Sequence, residues 1–405
     1  MTVITNEQWM DRIERELKDN ILRFWMKHAP DGNGGFHGYV SRTLEVKADA
    51  DRSLVLNTRI LWTFASAYRI FKDESYLRMA EQAYRYICGH FTDHEHGGLY
   101  WSVTASGEPS SAKKQVYGQA FAIYAFSEYY RATGNDAALK LATELFHVLE
   151  KHSYDPVNQG YLEALARDWT ETNENSLSSK DLNTKKSMNT HLHVLEAYTN
   201  LYRVWKPQEL HAKLRELIEV TMSRIVDGET AHFKLFFDLE WNSQSDHISY
   251  GHDIEGSWLL HEAAEVLGDP ELLARVKAVA LQMAEATLLE GVDEDGGLFN
   301  EAGPEGLLDT DKDWWPQAEA VVGFYNAYQL SGEKRYKDAA CAAWRFIEEH
   351  MVDREYGEWF WSVTKEGKPS DNPEKISAWK CPYHNGRACF EMLERLRQHA
   401  ETTQI

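Results

Sequence analysis

A short segment rich in glycine and aromatic residues recurs six times along the chain and constrains the fold more than any other feature. The copies lie at 32–40, 95–103, 157–165, 229–237, 294–302 and 354–363. Their marker positions, Gly35, Gly98, Gly160, His232, Gly297 and Gly357, follow one another at intervals of 63, 62, 72, 65 and 60 residues. A repeat longer than 50 residues that occurs a fixed number of times favours a closed ring over an open solenoid.

Between these segments, apolar residues recur at three- and four-residue spacing, as in 59–71 and 320–329, which is typical of amphipathic helices. Each repeat therefore supplies two helices. The predicted helices are 6–28, 53–72, 75–91, 114–133, 136–153, 188–206, 208–226, 252–268, 270–289, 314–331, 333–351 and 383–400. We predict an all-α protein, an (α/α)6 barrel of twelve helices in which the more apolar even-numbered members form the inner ring and the glycine-aromatic loops lie at the pocket end. Since no Pro-, Ser- or Gly-rich linker divides the chain, residues 1–405 are predicted to be one catalytic domain.

Charge and cysteine usage narrow the possible partners. Acidic residues outnumber basic ones 64 to 43, for a formal net charge of −21, which opposes binding to nucleic acid or to anionic membranes. The N-terminus lacks a signal-peptide pattern, no stretch is apolar enough to span a membrane, and the four cysteines form no CxxC pair. We expect a cytoplasmic monomer or weak dimer whose partner is a small sugar.

The starts of the predicted inner helices carry polar and aromatic residues. In a barrel of this kind the inner helices run parallel, so their N-terminal turns converge in one concave cup that collects the positive ends of the helix dipoles. The residues at these starts are Asn57, Arg59, Tyr117, Asn189, His193, His252, Glu255, Trp314, Trp315, Glu319, His384 and Arg387. A cup lined by histidines, arginines, carboxylates and flat aromatic rings indicates a carbohydrate site.

Helical spacing sorts the histidines. Asn189 and His193 are four residues apart and share a face, whereas His191 lies about 200° from His193 and must point elsewhere. His252 and Glu255 are three apart, so the carboxylate could hold one ring nitrogen, or the two could bind a metal. A metal site needs further ligands, and no HExxH or cysteine cluster accompanies this pair, so we predict no metal and no cofactor. His384 at a helix start should stay neutral, as a proton-abstracting base requires.

Six segments resemble the N-acylglucosamine 2-epimerase superfamily over nearly the full length. They are NTRILWTFASAYR (57–69), VYGQAFAIYAFSE (116–128), SMNTHLHVLEAYTNLYRVW (187–205), GHDIEGSWLL (251–260), LDTDKDWWPQAEAVVGFYNAYQ (308–329) and PYHNGRACFEM (382–392). The resemblance implies an (α/α)6 barrel with catalytic histidines at His193, His252 and His384. It further implies that the residues that hold or surround the sugar are Arg59, Tyr117, Asp181, Asn189, Glu255, Trp315 and Trp379. We add Glu319 to these residues because of its place at the start of an inner helix.

The activity that this resemblance implies is epimerisation at C2 of the reducing-end glucose of a β-1,4-linked disaccharide such as cellobiose or lactose. We expect His252 and His384 to exchange the C2 proton, His193 to assist ring opening, Arg59 to hold the developing oxyanion and Glu255 to orient His252. The closest alternative is a mannose/glucose 2-epimerase or an aldose–ketose isomerase. A glycoside hydrolase would need two carboxylates, from Asp181, Glu255 or Glu319, and a non-catalytic sugar-binding protein would leave the three histidines unexplained.

Overall fold

The computed structural model describes residues 5–403, with side chains as far as residue 398. Its α-helices are α1 Asn6–Arg15, α2 Arg23–His28, α3 Leu54–Phe71, α4 Glu74–Tyr86, α5 Val116–Thr133, α6 Asp136–His152, α7 Met188–Val204, α8 Gln208–Val220, α9 Tyr250–Leu267, α10 Pro270–Glu290, α11 Trp314–Ser331, α12 Lys334–Phe346 and α13 Tyr383–Thr403. Short π-helical stretches lie at Glu16–Leu22, Ile87–Phe91, Thr221–Ile225 and Ile347–Met351, and the first of them joins α1 to α2 in one continuous rod. None of the described helices is long and apolar enough to cross a membrane.

The predicted helices match the observed ones to within a few residues, because the boundary signals act locally. Asp269 accepts hydrogen bonds from the backbone N–H groups of Glu271 and Leu272, and Pro270 opens α10. Gly268 ends α9 in the left-handed conformation with a φ of 79°, which a side chain would disfavour. The observed α9 begins at Tyr250 rather than at residue 252, and α13 extends to Thr403 rather than ending at residue 400.

Six helices form the inner ring, as predicted. α3, α5, α7, α9, α11 and α13 contact one another in chain order, and α13 contacts α3, so the ring is closed. Each of the other rods packs against its inner neighbour. Close approach within the ring requires small residues: a Cβ added at Gly323 of α11 would lie 2.7 Å from the carbonyl oxygen of Ile254 in α9.

Short antiparallel strands connect the loops at one end of the ring. They are β1 Val40–Ser41, β2 Arg52–Ser53, β3 Ser102–Val103, β4 Pro109–Ser111, β5 Lys114–Gln115, β6 Ala164–Leu165, β7 Lys186–Ser187, β8 Phe236–Phe237, β9 Ile248–Ser249, β10 Glu301–Gly303, β11 Gly306–Asp309, β12 Lys312–Asp313, β13 Ser362–Val363 and β14 Glu374–Ile376. Within the described residues they form six small sheets, in the orders β1-β14, β2-β3-β4, β5-β6, β7-β8, β11-β10-β9 and β12-β13. The β1–β14 pair joins the first unit to the last.

A buried ion pair recurs in the glycine-aromatic loops. Asp93 accepts backbone N–H bonds from Glu95 and His96 through Oδ1, and its Oδ2 lies 2.9 Å from Lys114 Nζ, with both side chains fully buried. Equivalent pairs are Asp155–Lys186, Asp293–Lys312 and Asp353–Lys375, at 2.8, 2.8 and 2.9 Å. These pairs fix each loop to the strand that precedes the next inner helix, and so hold the loops over the cup.

A side chain at the fourth position of several inner helices ties the helix to its loop. Gln119 and Gln317 accept hydrogen bonds from the backbone N–H groups of Leu99 and Leu298. In α7 the same position is His191, whose Nε2 accepts the N–H of Tyr161 at 2.8 Å. The prediction that His191 points away from the His193 face is confirmed, and its role is to join the loop to the helix.

Candidate active site

A cavity of about 480 Å³ opens where the N-terminal turns of the inner helices converge. His252, Trp315 and His384 stand in the first turns of α9, α11 and α13, so the cavity lies at the positive ends of those helices. Ten of the eleven predicted site residues line it: Arg59, Tyr117, Asp181, Asn189, His193, His252, Glu255, Trp315, Trp379 and His384. The eleventh, Glu319, does not line the cavity.

A larger cavity, of about 590 Å³, lies at the opposite end of the barrel. Arginines and glutamates alternate around it and neutralise one another, as in the pairs Arg69–Glu128 at 2.8 Å and Arg203–Glu262 at 2.7 Å. Its charged groups therefore already have partners of opposite charge. The smaller cavity is the candidate site because the N-terminal turns of the inner helices meet there and several buried polar atoms of its lining residues have no hydrogen-bond partner among the described residues.

Four buried polar atoms on residues that line the smaller cavity make no hydrogen bond within the part of the chain that the structure describes. They are Arg59 Nε, Asn189 Oδ1, Glu255 Oε2 and Trp314 Nε1. Leaving a buried donor or acceptor unpaired costs about 1–3 kcal/mol, so such groups rarely persist without a purpose. Both donors and acceptors are present, which matches a ligand with many hydroxyl groups.

His252 is held by a serine and not by the predicted carboxylate. Its Nδ1 lies 2.7 Å from Ser249 Oγ, in the strand that leads into α9. The expectation that Glu255 orients His252 is wrong, because Glu255 Oε1 instead accepts a hydrogen bond from Arg387 of α13 at 2.6 Å. Burial, together with the positive potential of His193, lowers the pKa of His252 to about 3, so the ring is neutral at neutral pH.

His384 is held by Glu319, whose Oε1 lies 2.7 Å from its Nδ1. Glu319 therefore lies behind the histidine. It was predicted to contact the sugar, but in the structure it contacts His384 instead. Burial and the charges of Arg59 and Arg387 keep the pKa of His384 well below its usual value. The ring of Trp315 contacts both histidines, with its centroid 4.7 Å from that of His252 and 5.4 Å from that of His384.

His193 lies on the other side of the cavity, against Tyr117 and Phe121. Its ring centroid is 4.9 Å from that of Tyr117 and 4.8 Å from that of Phe121. Its Nδ1 lies 2.9 Å from Glu196 Oε2, and burial lowers its pKa in spite of that carboxylate. Sequence reasoning missed Glu196, although its three-residue spacing from His193 is the same signal that was applied to His252 and Glu255.

Arg59 completes this side of the cavity. Its Nη2 donates to the hydroxyl of Tyr117 at 2.8 Å, and its guanidinium stacks on Phe121 with 4.4 Å to the ring centroid. The position of the charge is therefore fixed in a buried environment, where a cation interacts with an anionic ligand more strongly than in water. Trp379 lies edge-on to Tyr117, at 5.9 Å between centroids, and extends the aromatic wall.

Asp181 reaches the cavity from the long loop between β6 and β7. Its Oδ2 accepts hydrogen bonds from the backbone N–H and the hydroxyl of Ser178, at 2.8 and 2.6 Å. This local turn presents the carboxylate at the rim, where Lys180 and Asp309 also line the cavity. The rim is thus charged and the floor, beside Trp315 and His384, is closed.

Three carboxylates below the cavity surround one guanidinium. Arg387 Nη2 donates to Glu255 and to Glu319, each at 2.6 Å, and Nη1 donates to Glu196. Oxygen and nitrogen ligand atoms of Glu255, Glu319 and His384 lie within 4.8 Å of one another, a spacing that could hold a cation. A metal ion there would have to displace a buried guanidinium that already binds both carboxylates.

The same arrangement argues against glycoside hydrolysis. A retaining or inverting hydrolase needs two carboxyl groups about 5–9.5 Å apart on either side of the scissile bond. Glu255 and Glu319 offer oxygens within 4.8 Å of each other, and of these two only Glu255 lines the cavity. Asp181 lines it as well, but at the rim, where Ser178 holds its carboxylate. The groups that converge on the cavity from different helices are histidines.

Known proteins with similar sequences share this architecture. The sequence profile described as N-acylglucosamine 2-epimerase (GlcNAc 2-epimerase) matches residues 34–388. A protein of Bacteroides fragilis named cellobiose 2-epimerase is 47% identical, with 94% of this chain and 97% of that protein covered. One of Ruminococcus albus with the same name is 41% identical over 95% and 98%.

Among solved structures, that of cellobiose 2-epimerase from Bacillus thermoamylovorans superposes with a TM-score of 0.92 at 40% identity. The match covers 96% of this chain and all (100%) of that one. The profile match spans most of the chain, and the relatives align from end to end. The chain therefore belongs to the N-acylglucosamine 2-epimerase family.

Proposed function

We propose that this protein interconverts glucose and mannose at the reducing end of β-1,4-linked disaccharides, turning cellobiose into 4-O-β-glucosyl-mannose and lactose into epilactose. The observation that most directly supports this proposal is the similarity, at 47% identity over 94% of the chain, to a protein named cellobiose 2-epimerase. Three buried histidines of lowered pKa around one cavity supply the acid–base groups that this isomerisation needs.

Epimerisation at C2 requires that the C2 proton leave from one face and return to the other. A neutral histidine can accept the proton through Nε2 when its Nδ1 is engaged, and both His252 and His384 are held at Nδ1. We assign these two as the pair, one neutral and the other protonated at the start of each turnover. The neutral ring takes the C2 proton through Nε2, the electrons pass into a cis-enediolate, and the protonated ring delivers its Nε2 proton to the opposite face, so that the two rings exchange protonation states. Trp315, in contact with both rings, would form the floor on which the sugar ring rests.

Arg59 is the proposed partner of the enediolate oxygen. Its charge is fixed by Tyr117 and Phe121 and needs no reorganisation as negative charge develops, which is the main way in which such a site lowers a barrier. His193, on the same side as Arg59, is assigned to ring opening and closing. Asp181, Asn189, Trp379 and Tyr117 are assigned to binding the sugar.

We propose that the whole chain acts as one catalytic domain, because residues from α3 to α13 contribute to a single cavity. The four cysteines are free thiols, which suits the reducing environment of the cytoplasm. A net charge of −21 favours a monomer or weak dimer over larger assemblies. The proposed chemistry uses only side chains, so we propose that neither a metal ion nor an organic cofactor takes part.

The test is incubation of the chelator-treated protein with cellobiose in deuterated buffer, followed by NMR at C2. We expect 4-O-β-glucosyl-mannose that carries deuterium at C2. An inert cellobiose together with a reactive mannose would refute the disaccharide assignment and favour a monosaccharide enzyme. For the proton pair, His252→Ala and His384→Ala should each lower deuterium incorporation by about 10²-fold or more, and undiminished incorporation in both would refute the pair.

A further inference from the structure

The three carboxyl groups around Arg387 are not equally stabilised as anions. Glu196 accepts hydrogen bonds from His193 Nδ1, the hydroxyl of Tyr383 and Arg387 Nη1. Each of these donors favours the charged form of the carboxylate. Burial opposes ionisation, yet these partners, with Arg387 foremost, lower the pKa of Glu196 to about 2. Glu196 is therefore an anion at neutral pH.

Glu319 also has several donors. Oε1 accepts from His384 Nδ1 at 2.7 Å and from Arg387 Nη2 at 2.6 Å, and Oε2 accepts from the indole N–H of Trp258 at 3.0 Å. Both of its oxygens are therefore engaged. Burial raises the pKa of Glu319 too, but donors that approach both of its oxygens from three directions favour its charged form over that of Glu255.

Glu255 differs from both. It shares Arg387 Nη2 with Glu319 as its single donor, and its Oε2 is buried with no hydrogen-bond partner among the described residues. Glu255 lines the cavity, but its side chain is 1% exposed, so Oε2 has almost no solvent contact and its partner has to be a ligand that fills the cavity. One guanidinium cannot neutralise three carboxylates in a buried cluster, and the carboxyl with the fewest donors is the one that holds a proton.

The other groups near Glu255 act in the same direction. The phenols of Tyr117 and Tyr383 are neutral at physiological pH because burial raises the pKa of each. His384 Nδ1, 3.8 Å from Glu255 Oε1, is directed at Glu319, and the low pKa of His384 leaves it without charge. Burial and then the charge of Glu319 raise the pKa of Glu255, against the influence of Arg387.

We propose that Glu255 works as a neutral carboxylic acid, whose Oε2–H donates a hydrogen bond into the cavity to an oxygen of the reacting sugar. A carboxylic acid kept neutral by a buried site can donate to an oxyanion in the way that a fixed amide does. Glu255 and Arg59 would then stabilise the enediolate together, one as a neutral donor and one as a cation. The identity of the acceptor rests on the function proposed above, whereas the protonation of Glu255 does not.

The first test is infrared difference spectroscopy of the wild type against Glu255→Gln at neutral pH. We expect the wild type to show the C=O stretch of a protonated carboxylic acid, shifted in D2O, and the variant to lack it. Glu128→Gln is the control for assignment, since Glu128 is a buried acid outside this cavity whose pKa, against the effect of burial, is lowered to about 2 by Arg131 and Arg69. Loss of the same band in both variants, or no band lost in Glu255→Gln, would overturn the proposal.

The second test is kinetic. Glutamine keeps a donor at the position of Oε2–H, so Glu255→Gln should lower kcat on cellobiose less than about tenfold, whereas Glu255→Ala should lower it about 10²-fold. The alkaline limb of the kcat–pH profile due to ionisation of Glu255 should disappear in Glu255→Gln. A Glu255→Gln variant as inactive as Glu255→Ala would show that the carboxylate is the working form. A wild type inert toward cellobiose would refute the proposed function and leave the infrared test intact.

Discussion

Replacing Ser249 by alanine should slow the reaction without unfolding the protein. The Ser249 hydroxyl lies 2.7 Å from His252 Nδ1 and is the group that holds this ring. Ser249 is the N-cap residue of α9, but its side chain makes no capping hydrogen bond, so loss of the hydroxyl leaves the helix start unchanged. The buried Nδ1 would lose its partner, at a cost of about 1–3 kcal/mol, and would be free to take the other tautomer or another rotamer.

If this cost appears in the transition state, kcat should fall about 5- to 150-fold, since about 1.4 kcal/mol corresponds to a factor of ten. The assay is deuterium incorporation at C2 of cellobiose at saturating substrate, with the melting temperature recorded in parallel. Ser257→Ala is the matched control, because Ser257 is buried in the same helix and donates to the carbonyl oxygen of Ile254 at 2.7 Å. An unchanged kcat in Ser249→Ala, or an equal loss in Ser257→Ala, would refute the role of Ser249.

Three further outcomes follow from the structure. His191→Ala should lower the free energy of unfolding in urea by about 1–3 kcal/mol, because the backbone N–H of Tyr161 loses its acceptor. The folded variant should keep its kcat, and a large loss of kcat would show that His191 takes part in the reaction. Lys114→Met should destabilise the fold by about 3–5 kcal/mol, because the buried Asp93 loses the lysine of its ion pair. Removal of the exposed Lys140 should cost less than about 1 kcal/mol, and equal effects of the two changes would contradict the stabilising role of the Asp93–Lys114 pair. Burial lowers the pKa of His252 to about 3 and of His191 to about 4, so each contributes stability that is fully present above about pH 6.5 and is lost by about 1.4 kcal/mol per pH unit on acidification. Because the raised pKa of Glu255 acts in the opposite direction, the measurement compares the urea midpoint of the wild type with that of His191→Ala between about pH 6.5 and pH 4, and an equal pH dependence in both would be inconsistent with a neutral buried His191.

The helices and the ring were predictable because their signals are local and repeated. Apolar spacing placed the helices within a few residues of the observed bounds, and the six loops indicated closure. Helical geometry separated His193 from His191, since the direction of a side chain around a helix follows from its position alone. The same geometry suggested correctly which residues would gather at the N-terminal ends of the inner helices.

The hydrogen-bond partners of those residues depended on the tertiary structure. Spacing allowed Glu255 to bind His252, but Glu255 instead binds Arg387, which is 132 residues away in the chain. The partner of His252 is Ser249. Glu319 likewise turned from the sugar to His384.

The amino-acid sequence by itself determined the closed ring of paired helices and most of the residues that its inner helices bring to the cavity. Only the tertiary structure decided which carboxyl group supports which histidine and which one is left without donors. The physical reason is that periodicity sets the direction of a side chain on its own helix. The energy of a buried charge, by contrast, depends on every group that the other helices bring to it.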